Sequence, residues 1–262
     1  FRMLQPKRVG GSELPYEAIV QLTALVARGC GSTAWVLANL ANHHWMLALW
    51  PRAAQDEIWG PSADTLVGSA LMFPAHRAMP IAGLKGGIAV GGETAPLYQL
   101  PVFDMFPYVV AGVSLGIAQG TIDTFIEDIR HRITAYSTTL LADYATTQAR
   151  LGHAAAAASA AERILVGNCR EIMDLAARQG VAVSEEKIRL RRDAAYAAHL
   201  CTEAVDLLFG AGGGEFLYNQ QSIQRSFRDV HAANSHYALA WDIATTMAGK
   251  SLLGIAADSP TL

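Results

Sequence analysis

Four long runs of apolar residues with helical spacing fill the second part of the chain and constrain its fold most strongly. The runs span residues 103–135, 140–178, 184–209 and 220–248. Helix breakers separate them at Ser137-Thr138, at Gly180 and in the glycine cluster at 210–214. Long helices joined by short connections predict an antiparallel four-helix bundle over residues 101–262.

Three shorter helical segments precede this bundle. Pro15 in a first turn predicts a helix that runs to residue 28. Ser32 predicts the N-cap of a second helix over 33–49, which Pro51 ends, and a third helix covers 53–58. We therefore expect a mainly α protein with an N-terminal helical domain over residues 1–64.

Residues 65–100 separate the two helical regions and contain one predicted strand, 65–73, followed by a glycine- and proline-rich loop. A lone strand leaves unpaired backbone groups on both edges. Either this strand joins a sheet whose other strands are absent from the sequence, or the strand prediction is wrong.

The composition excludes several classes of function. Of the 262 residues 52% are hydrophobic, which excludes wholesale disorder, and the net charge of −3 predicts no binding to nucleic acid or to an anionic membrane. Two uncharged stretches, 29–51 and 105–122, are long enough to span a membrane, but their internal polar residues favour buried helices. Only 16% of residues are charged, so we expect large surfaces buried between helices or subunits.

Three short motifs match known sites by chance. Residues 112–116 read G-V-S-L-G, the pattern of a hydrolase nucleophile elbow, but no strand precedes them; small residues on a packed helix face are expected instead. The P-loop-like end at 249–251 lacks its first glycine. Asp128 and His131 form only half of a di-iron motif, and with Asp in place of Glu.

Residues 222–236, S-I-Q-R-S-F-R-D-V-H-A-A-N-S-H, together with the triple glycine at 212–214, resemble a C-terminal signature of the acyl-CoA dehydrogenase-like flavoproteins. The likeness is greatest to the two-component flavin-dependent aromatic monooxygenases. The opening F-R-M-L-Q-P-K-R-V-G-G and residues 42–49 are similar to the N-terminal domain of that family, and residues 97–118 to the entry of its bundle. The segments occur in the family's order and span nearly the whole chain.

The resemblance departs from the family in the middle of the chain. Residues 67–73 resemble the first strand of the family's middle β-domain, whereas residues 74–80 already resemble the linker after its last strand. A β-domain of ~100 residues is thus expected to be missing near 73–74. The chain also opens at Phe1 without an initiator Met, so we expect its true N-terminus to lie upstream.

Alignment with the family distinguishes two reactions. The dehydrogenases use a glutamate base at one of two positions, which correspond to Tyr237 and Phe106 here. Neither side chain removes a proton near neutral pH, so dehydrogenation loses its central group. The resemblance therefore implies the oxygenase component of a two-component monooxygenase. It would hydroxylate a phenolic or other aromatic substrate through a flavin C4a-hydroperoxide, using O₂ and reduced FMN or FAD supplied by a separate flavin reductase.

The same resemblance assigns candidate site residues. His236 matches the family histidine for the substrate hydroxyl, and an imidazole suits that role because its pKa lies near ~6.5. Ser69 matches a serine beside flavin and substrate, and His43 matches a pocket histidine. Adjacent helical residues point ~100° apart, so we expect His44 to pack in the core.

Further roles follow from the residues nearby. Gly212 and Gly213 resemble the loop that approaches the flavin phosphate, often in a neighbouring subunit, with Arg130 or Arg132 as further phosphate contacts. That arrangement predicts a homotetramer. His231 and the pair Arg228-Asp229 are expected to be structural, the latter as an ion pair.

The odd number of cysteines (three), without C-x-x-C spacing, fits reduced thiols and a cytoplasmic protein. Two alternatives to the monooxygenase stay open from the sequence. One is an acyl-CoA dehydrogenase with a relocated base. The other is an inactive helical scaffold that has lost its β-domain.

Overall fold

A computed structural model describes residues 1–68, 92–133, 138–178 and 180–257. This part of the chain contains eight α-helices, short 3₁₀ helices between them, and no strand. The helices are α1 (Glu17–Ala27), α2 (Gly31–Ala48), α3 (Arg52–Trp59), α4 (Val102–Ile129), α5 (Ala145–Ala177), α6 (Ser184–Ala211), α7 (Ser222–Asn234) and α8 (Trp241–Leu252).

The three N-terminal helices lie where the sequence predicts them, with one difference at the start of α2. Cys30, rather than Ser32, is the N-cap residue, and no side chain caps the helix. Three residues, 28–30, connect α1 to α2, and the first helical hydrogen bond already joins the Ala34 amide to the Cys30 carbonyl. The short connection therefore moves the start of α2 two residues upstream of its predicted position.

The predicted strand at 65–73 is not confirmed where it can be seen. Residues 65–68 form no strand, and the Val67 amide donates to the imidazole of His44 instead of to a strand partner. The remaining strand residues, Ser69 among them, and the 73–74 junction lie outside the described residues. The domain limits at 64 and 100 stay a prediction.

Helix α4 is the centre of the molecule. It packs against α1, α2, α5, α6 and α7, and nearly every residue from Val102 to Thr121 is buried. Of the described helices it alone is long and apolar enough to cross a membrane, but the core helix of a folded domain passes the same test. Burial on all sides explains its continuous apolar sequence without a bilayer.

Three glycines let α4 approach α1 closely. Gly112, Gly116 and Gly120 repeat every fourth residue and face Val20, Ala24 and Arg28, which repeat with the same period on α1. A Cβ atom on Gly116 would lie 2.1 Å from the Ala24 carbonyl oxygen, and one on Gly120 would lie 2.3 Å from that of Arg28. Residues 112–116 are thus a helix-packing surface, as the absence of a preceding strand predicts.

The fourth helix of the predicted bundle is divided in two. Helix α7 ends at Asn234 and α8 begins at Trp241, with a 3₁₀ helix at Tyr237–Leu239 between them. No glycine or proline lies in this stretch. The break is instead local and tertiary, because His236 takes an extended backbone conformation and its ring accepts a hydrogen bond from the Ala238 amide.

The α1–α4 contact makes Gly116→Ala a sharp test of the fold. We expect this variant to lower the free energy of unfolding by about 2–3 kcal/mol, because the two helices must separate to admit the methyl group. Gly167→Ala is the matched control: it lies within α5 and its added Cβ would meet no atom within 4 Å. The free energy of unfolding of this control, measured with denaturant, should rise by about 0.5–1 kcal/mol. Equal effects of the two changes would contradict the packing.

Candidate functional site

His236 lies at the break between α7 and α8, half-buried among aromatic rings. Its ring centroid lies 5.9 Å from that of Trp35 on α2, 5.4 Å from that of Phe106 on α4 and 5.0 Å from that of Tyr237. Burial lowers the pKa of the imidazole below its usual value. The surroundings therefore favour the neutral ring.

The hydrogen bond to Nδ1 fixes the tautomer of this neutral ring. The Ala238 amide donates to Nδ1 at 3.2 Å, so Nδ1 carries the lone pair and Nε2 carries the proton. Protonation would place an N–H on Nδ1 opposite the amide N–H. His236 therefore presents an Nε2–H donor.

The structure brings together the two positions at which dehydrogenases of the resembled family carry a base. Phe106 and Tyr237 come from different helical segments, yet both flank His236 and both line one cleft of about 130 Å³. Their convergence supports the alignment that placed the lost glutamates there. Neither residue offers a carboxylate, and the nearest imidazole, that of His236, packs against both rings.

The ion pair between Arg191 and Asp104 lies next to this cleft and is largely buried. Arg191 of α6 lines it and donates through Nε to Asp104 Oδ1 on α4. The Asp104 side chain is almost fully buried and its Oδ2 has no hydrogen-bond partner. Burial raises the pKa of this carboxyl, and the Arg191 guanidinium opposes the rise. The pair joins α4 to α6 two residues before Phe106.

A second, larger cleft is lined by Trp35. It has a volume of about 330 Å³ between α2, α4 and α7, with apolar walls that include Trp35, Val113 and Ile117. Asp229 is the acidic residue in the wall of this cleft. The predicted Arg228–Asp229 ion pair is wrong: no ion pair joins these two described side chains, and the Asp229 carboxylate lies in the wall of this cleft beside Gly31 instead.

His43 shares a helix face with Trp35 but does not touch His236. Its Nδ1 donates to the Asn39 carbonyl at 2.5 Å, and the Asn39 amide donates in turn to the Trp35 carbonyl. His43 lies eight residues after Trp35, or about 12 Å along the helix axis. In the neutral form of this half-buried ring, the proton on Nδ1 leaves Nε2 as an acceptor.

His44 is the core histidine. It is fully buried, its Nδ1 donates to Gln5 Oε1 at 3.0 Å, and its Nε2 accepts from the Val67 amide at 3.4 Å. Burial lowers its pKa to about 4. Both ring nitrogens are used by the neutral ring, which confirms that at least one histidine of the pair serves the core.

His231 also has a structural environment. It is exposed, its Nε2 lies 2.9 Å from Asp206 Oδ1, and its ring packs against Phe227. These contacts join α7 to α6 on the outer surface of the bundle. His231 thus makes a matched comparison for His236, five residues further on.

The glycine loop after α6 is shaped by two different constraints. Gly212 has no room for a side chain, because an added Cβ would fall within 1.8 Å of the Phe216 ring. Gly213 has a φ of 65° and no atom within 4 Å of an added Cβ, so its backbone faces open space. Arg132 donates to the Gly212 carbonyl and pairs with Glu215. Its charge is therefore already balanced within the chain.

Two predicted features have no further support in the described residues. Ser69 lies outside them, so its position relative to His236 is not described. No group of three or more histidines, cysteines or acidic residues in the described part of the chain is arranged to hold a metal ion. Asp128 and His131 are therefore not part of such a group.

Comparison with known proteins now adds a family to this geometry. Residues 108–241, just over half of the chain, match the family model described as acyl-CoA dehydrogenase, C-terminal domain. The chain belongs to the acyl-CoA dehydrogenase family. The match runs from the buried part of α4 through His236 to the start of α8.

Relatives within this family are named as oxygenase components. The chain is 21% identical to the FADH2-dependent resorcinol hydroxylase, oxygenase component, of Rhizobium sp. (strain MTP-10005), over 97% of this chain and 85% of the relative. It is 25% identical to the flavin-dependent monooxygenase oxygenase subunit HsaA of Mycobacterium tuberculosis, over 91% of this chain and 82% of the relative.

A solved structure shows the same fold. The 3-HSA hydroxylase of Rhodococcus sp. RHA1 matches with a TM-score of 0.89 and 22% identity, covering 100% of this chain and 89% of that protein. The resorcinol hydroxylase alignment extends over 347 positions, more than the 262 residues of this chain, so that relative carries a segment that this chain lacks. This agrees with the predicted loss of a middle β-domain.

Neither Trp35 nor Arg191 stood out in the sequence, although each lines one of the two clefts described above. Trp35 could have been found by its spacing, since it precedes His43 by eight residues on one predicted helix. Arg191 lies among three arginines at 189, 191 and 192, and nothing in the sequence distinguishes the one that turns inward.

The environment of His44 predicts a pH-dependent stability. Because its pKa in the folded protein is about 4 and lies near 6.5 in an unfolded chain, the unfolded state binds more protons between these values. Stability should thus fall as the pH drops from 6.5 towards 4. We expect the free energy of unfolding of His44→Gln, measured with urea, to fall less than that of the wild type over this pH range, by on the order of 1–2 kcal/mol. His131→Gln, an exposed control, should keep the wild-type pH dependence.

Proposed function

We propose that this protein is the oxygenase component of a two-component flavin-dependent monooxygenase that hydroxylates a phenolic or related aromatic substrate. The observation that carries the proposal is the pairing of aromatic residues at both base positions, Phe106 and Tyr237, with a half-buried imidazole between them. The relatives named as hydroxylases point to the same chemistry.

The acyl-CoA dehydrogenase alternative lacks its base. Proton abstraction beside a thioester requires a group near the operating pH that can accept a proton. Phe106 has no such atom, and a phenol, the side chain of Tyr237, is a much weaker proton acceptor than a carboxylate. His236 uses its lone pair on the Ala238 amide, so it does not replace the carboxylate without breaking that bond.

His236 is suited to hold the substrate oxygen. In the tautomer described above, Nε2–H donates a hydrogen bond, and a donor favours the ionised form of a bound phenol. A phenolate ring is richer in electrons and accepts an electrophilic oxygen atom more readily. His43, with its Nε2 as acceptor, is proposed as a second polar group of the pocket, and Ser69 as a group near flavin and substrate.

A reduced flavin fits the residues present in two respects. The aromatic surroundings of His236 restrict water, and Gly213 leaves its backbone accessible to a phosphate. The reduced flavin, FMN or FAD, supplies when bound the electrons that activate O₂. One oxygen atom then enters the ring and the other leaves as water. A separate flavin reductase would renew the reduced flavin.

Gly212 and Gly213 are proposed to approach the flavin phosphate through their backbone. Arg132 already balances Glu215, so we propose that it orders this loop rather than binding the phosphate itself. The Gly212 N–H already donates to the Phe209 carbonyl at 3.2 Å, so the exposed backbone at Gly213 is the part of the loop proposed to meet the anion.

We also propose a homotetramer in the cytoplasm. The low charged fraction supports association, and so do large apolar side chains at the end of α8, where Leu252 and Leu253 are 82% and 76% exposed. The three cysteines form no disulfide in the described residues, and two of them are buried.

The decisive experiment supplies chemically reduced FMN or FAD, ¹⁸O₂ and a panel of phenols that includes resorcinol. We expect a dihydric or trihydric product that carries one ¹⁸O atom, detected by mass spectrometry. Absence of labelled product with every phenol, together with bleaching of oxidised flavin by an acyl-CoA, would establish the dehydrogenase instead. Absence of any flavin binding would establish an inactive scaffold.

Removal of the His236 imidazole tests its assigned role. We expect His236→Ala to lower the rate of hydroxylation by about 100-fold or more while binding of reduced flavin stays within twofold. The measurement is single-turnover product formation. His231→Gln, which changes a surface histidine on the helix that precedes His236, should retain wild-type turnover; an equal loss in both variants would argue against a role for His236.

A change at Gly213 tests the phosphate site. Gly213→Ala meets no neighbouring atom, so reduced flavin affinity should fall about tenfold through the altered backbone and the added methyl group alone. The measurement is anaerobic titration. Gly210→Ala, at another glycine where an added Cβ meets nothing, is the control and should bind flavin as the wild type does.

A further inference from the structure

We propose that Asn234, held by Ser114 and Thr202, is a positioning residue that maintains the helix break at His236 and so orients the imidazole. This inference rests on the proposed function of His236. It also gives a role to the serine of the G-V-S-L-G segment, which the active site does not use.

The contacts of Asn234 connect three helices. On α4, the fully buried Ser114 donates its hydroxyl to Asn234 Oδ1 at 2.5 Å. On α6, Asn234 Nδ2 donates to the Ala198 carbonyl at 2.8 Å and to the hydroxyl of Thr202. A single amide thus uses its acceptor on one helix and its donors on another.

These contacts lie at the point where α7 stops. Asn234 is the last residue of α7, Ser235 is its C-cap, and His236 turns the backbone from helical to extended, with a ψ of 133°. The residues that follow, Ala238, Leu239 and Ala240, have good or moderate helix propensity and include no breaker. The sequence here favours a continuous helix, so the break needs a tertiary cause.

Asn234 provides that cause. Its amide can satisfy Ser114, Ala198 and Thr202 together only when the end of α7 is fixed against both α4 and α6. The backbone then leaves the helix, the Ala238 amide reaches His236 Nδ1, and the ring lies between Trp35 and Phe106. If the hydrogen bonds of Asn234 to Ser114, Ala198 and Thr202 are lost, α7 and α8 are free to join into one helix. The imidazole of His236 then changes both its direction and its tautomer.

Three variants separate positioning from simple stability. Asn234→Ala removes all of the bonds, and Ser114→Ala removes only the donor from α4. Asn168→Ala is the matched control: Asn168 also bridges helices, through Tyr108, Asp193 and Arg189, but shares no hydrogen-bond partner with Asn234. Thermal unfolding of each variant measures the structural cost that all of them share.

The first readout is the yield of hydroxylated product per reduced flavin oxidised. We expect Asn234→Ala to lower the single-turnover yield by about 100-fold, as a displaced catalytic group does, and Ser114→Ala to lower it less. Asn168→Ala should keep the yield even where its melting temperature falls as far. If yield follows melting temperature across all three variants, the role is structural and the proposal is wrong.

The second readout does not depend on activity. In the full chain with ¹⁵N-labelled histidine, the His236 resonances are identified by their loss in His236→Gln. The wild type should show the Nε2–H tautomer, and Asn234→Ala should show a shift towards the Nδ1–H form or a mixture. An unchanged tautomer would overturn the positioning role. If the wild type hydroxylates no phenol, the proposed function is wrong. The tautomer of His236 in Asn234→Ala then tests the positioning role of Asn234 by itself.

Discussion

The close contact between α1 and α4 is the constraint on which the rest of the structure depends. Glycines at 112, 116 and 120 bring the backbone of α4 against Val20, Ala24 and Arg28, nearer than any side chain would permit. The N-terminal helices are thereby joined to the bundle through one continuous core. Because α2 follows α1 after only three residues, the same contact also places Trp35 beside the bundle.

This arrangement builds a site between parts of the chain that are distant in sequence. Trp35 comes from the N-terminal helices, Phe106 from the start of the bundle and His236 from its last break. The rings of His236 and His43 are each held by a hydrogen bond to a backbone group. An amide holds Nδ1 of His236, a carbonyl holds Nδ1 of His43, and the two rings thus expose opposite hydrogen-bonding groups at Nε2.

Much of the helical architecture follows from the sequence. The spacing of apolar residues and the breakers at Pro51 and Gly180 place most helix ends within two residues, although α4 ends at Ile129, six residues before its predicted end, and α5 begins at Ala145, five residues after its predicted start. The resemblance of residues 222–236 to a flavoprotein signature also led to His236. What was wrong was local: the strand at 65–68, the N-cap at Ser32, the Arg228–Asp229 pair and an unbroken last helix. At residues 65–68 and at the break in the last helix, hydrogen bonds to distant segments override the local preference, whereas the start of α2 follows from the short connection to α1.

The sequence by itself determined that this chain is helical, that its longest apolar run is buried, and that both dehydrogenase base positions lack a carboxylate. The first two follow from residue type and spacing, which act through local propensity and burial, and the third is what the resemblance to the acyl-CoA dehydrogenase-like flavoproteins implies. Only the tertiary structure decided where the last helix breaks, which histidine belongs to the core and which tautomer His236 adopts. Those outcomes depend on single hydrogen bonds between helices, such as those of Asn234 to Ser114 and Ala198. The spacing of residues along one helix does not reveal such bonds.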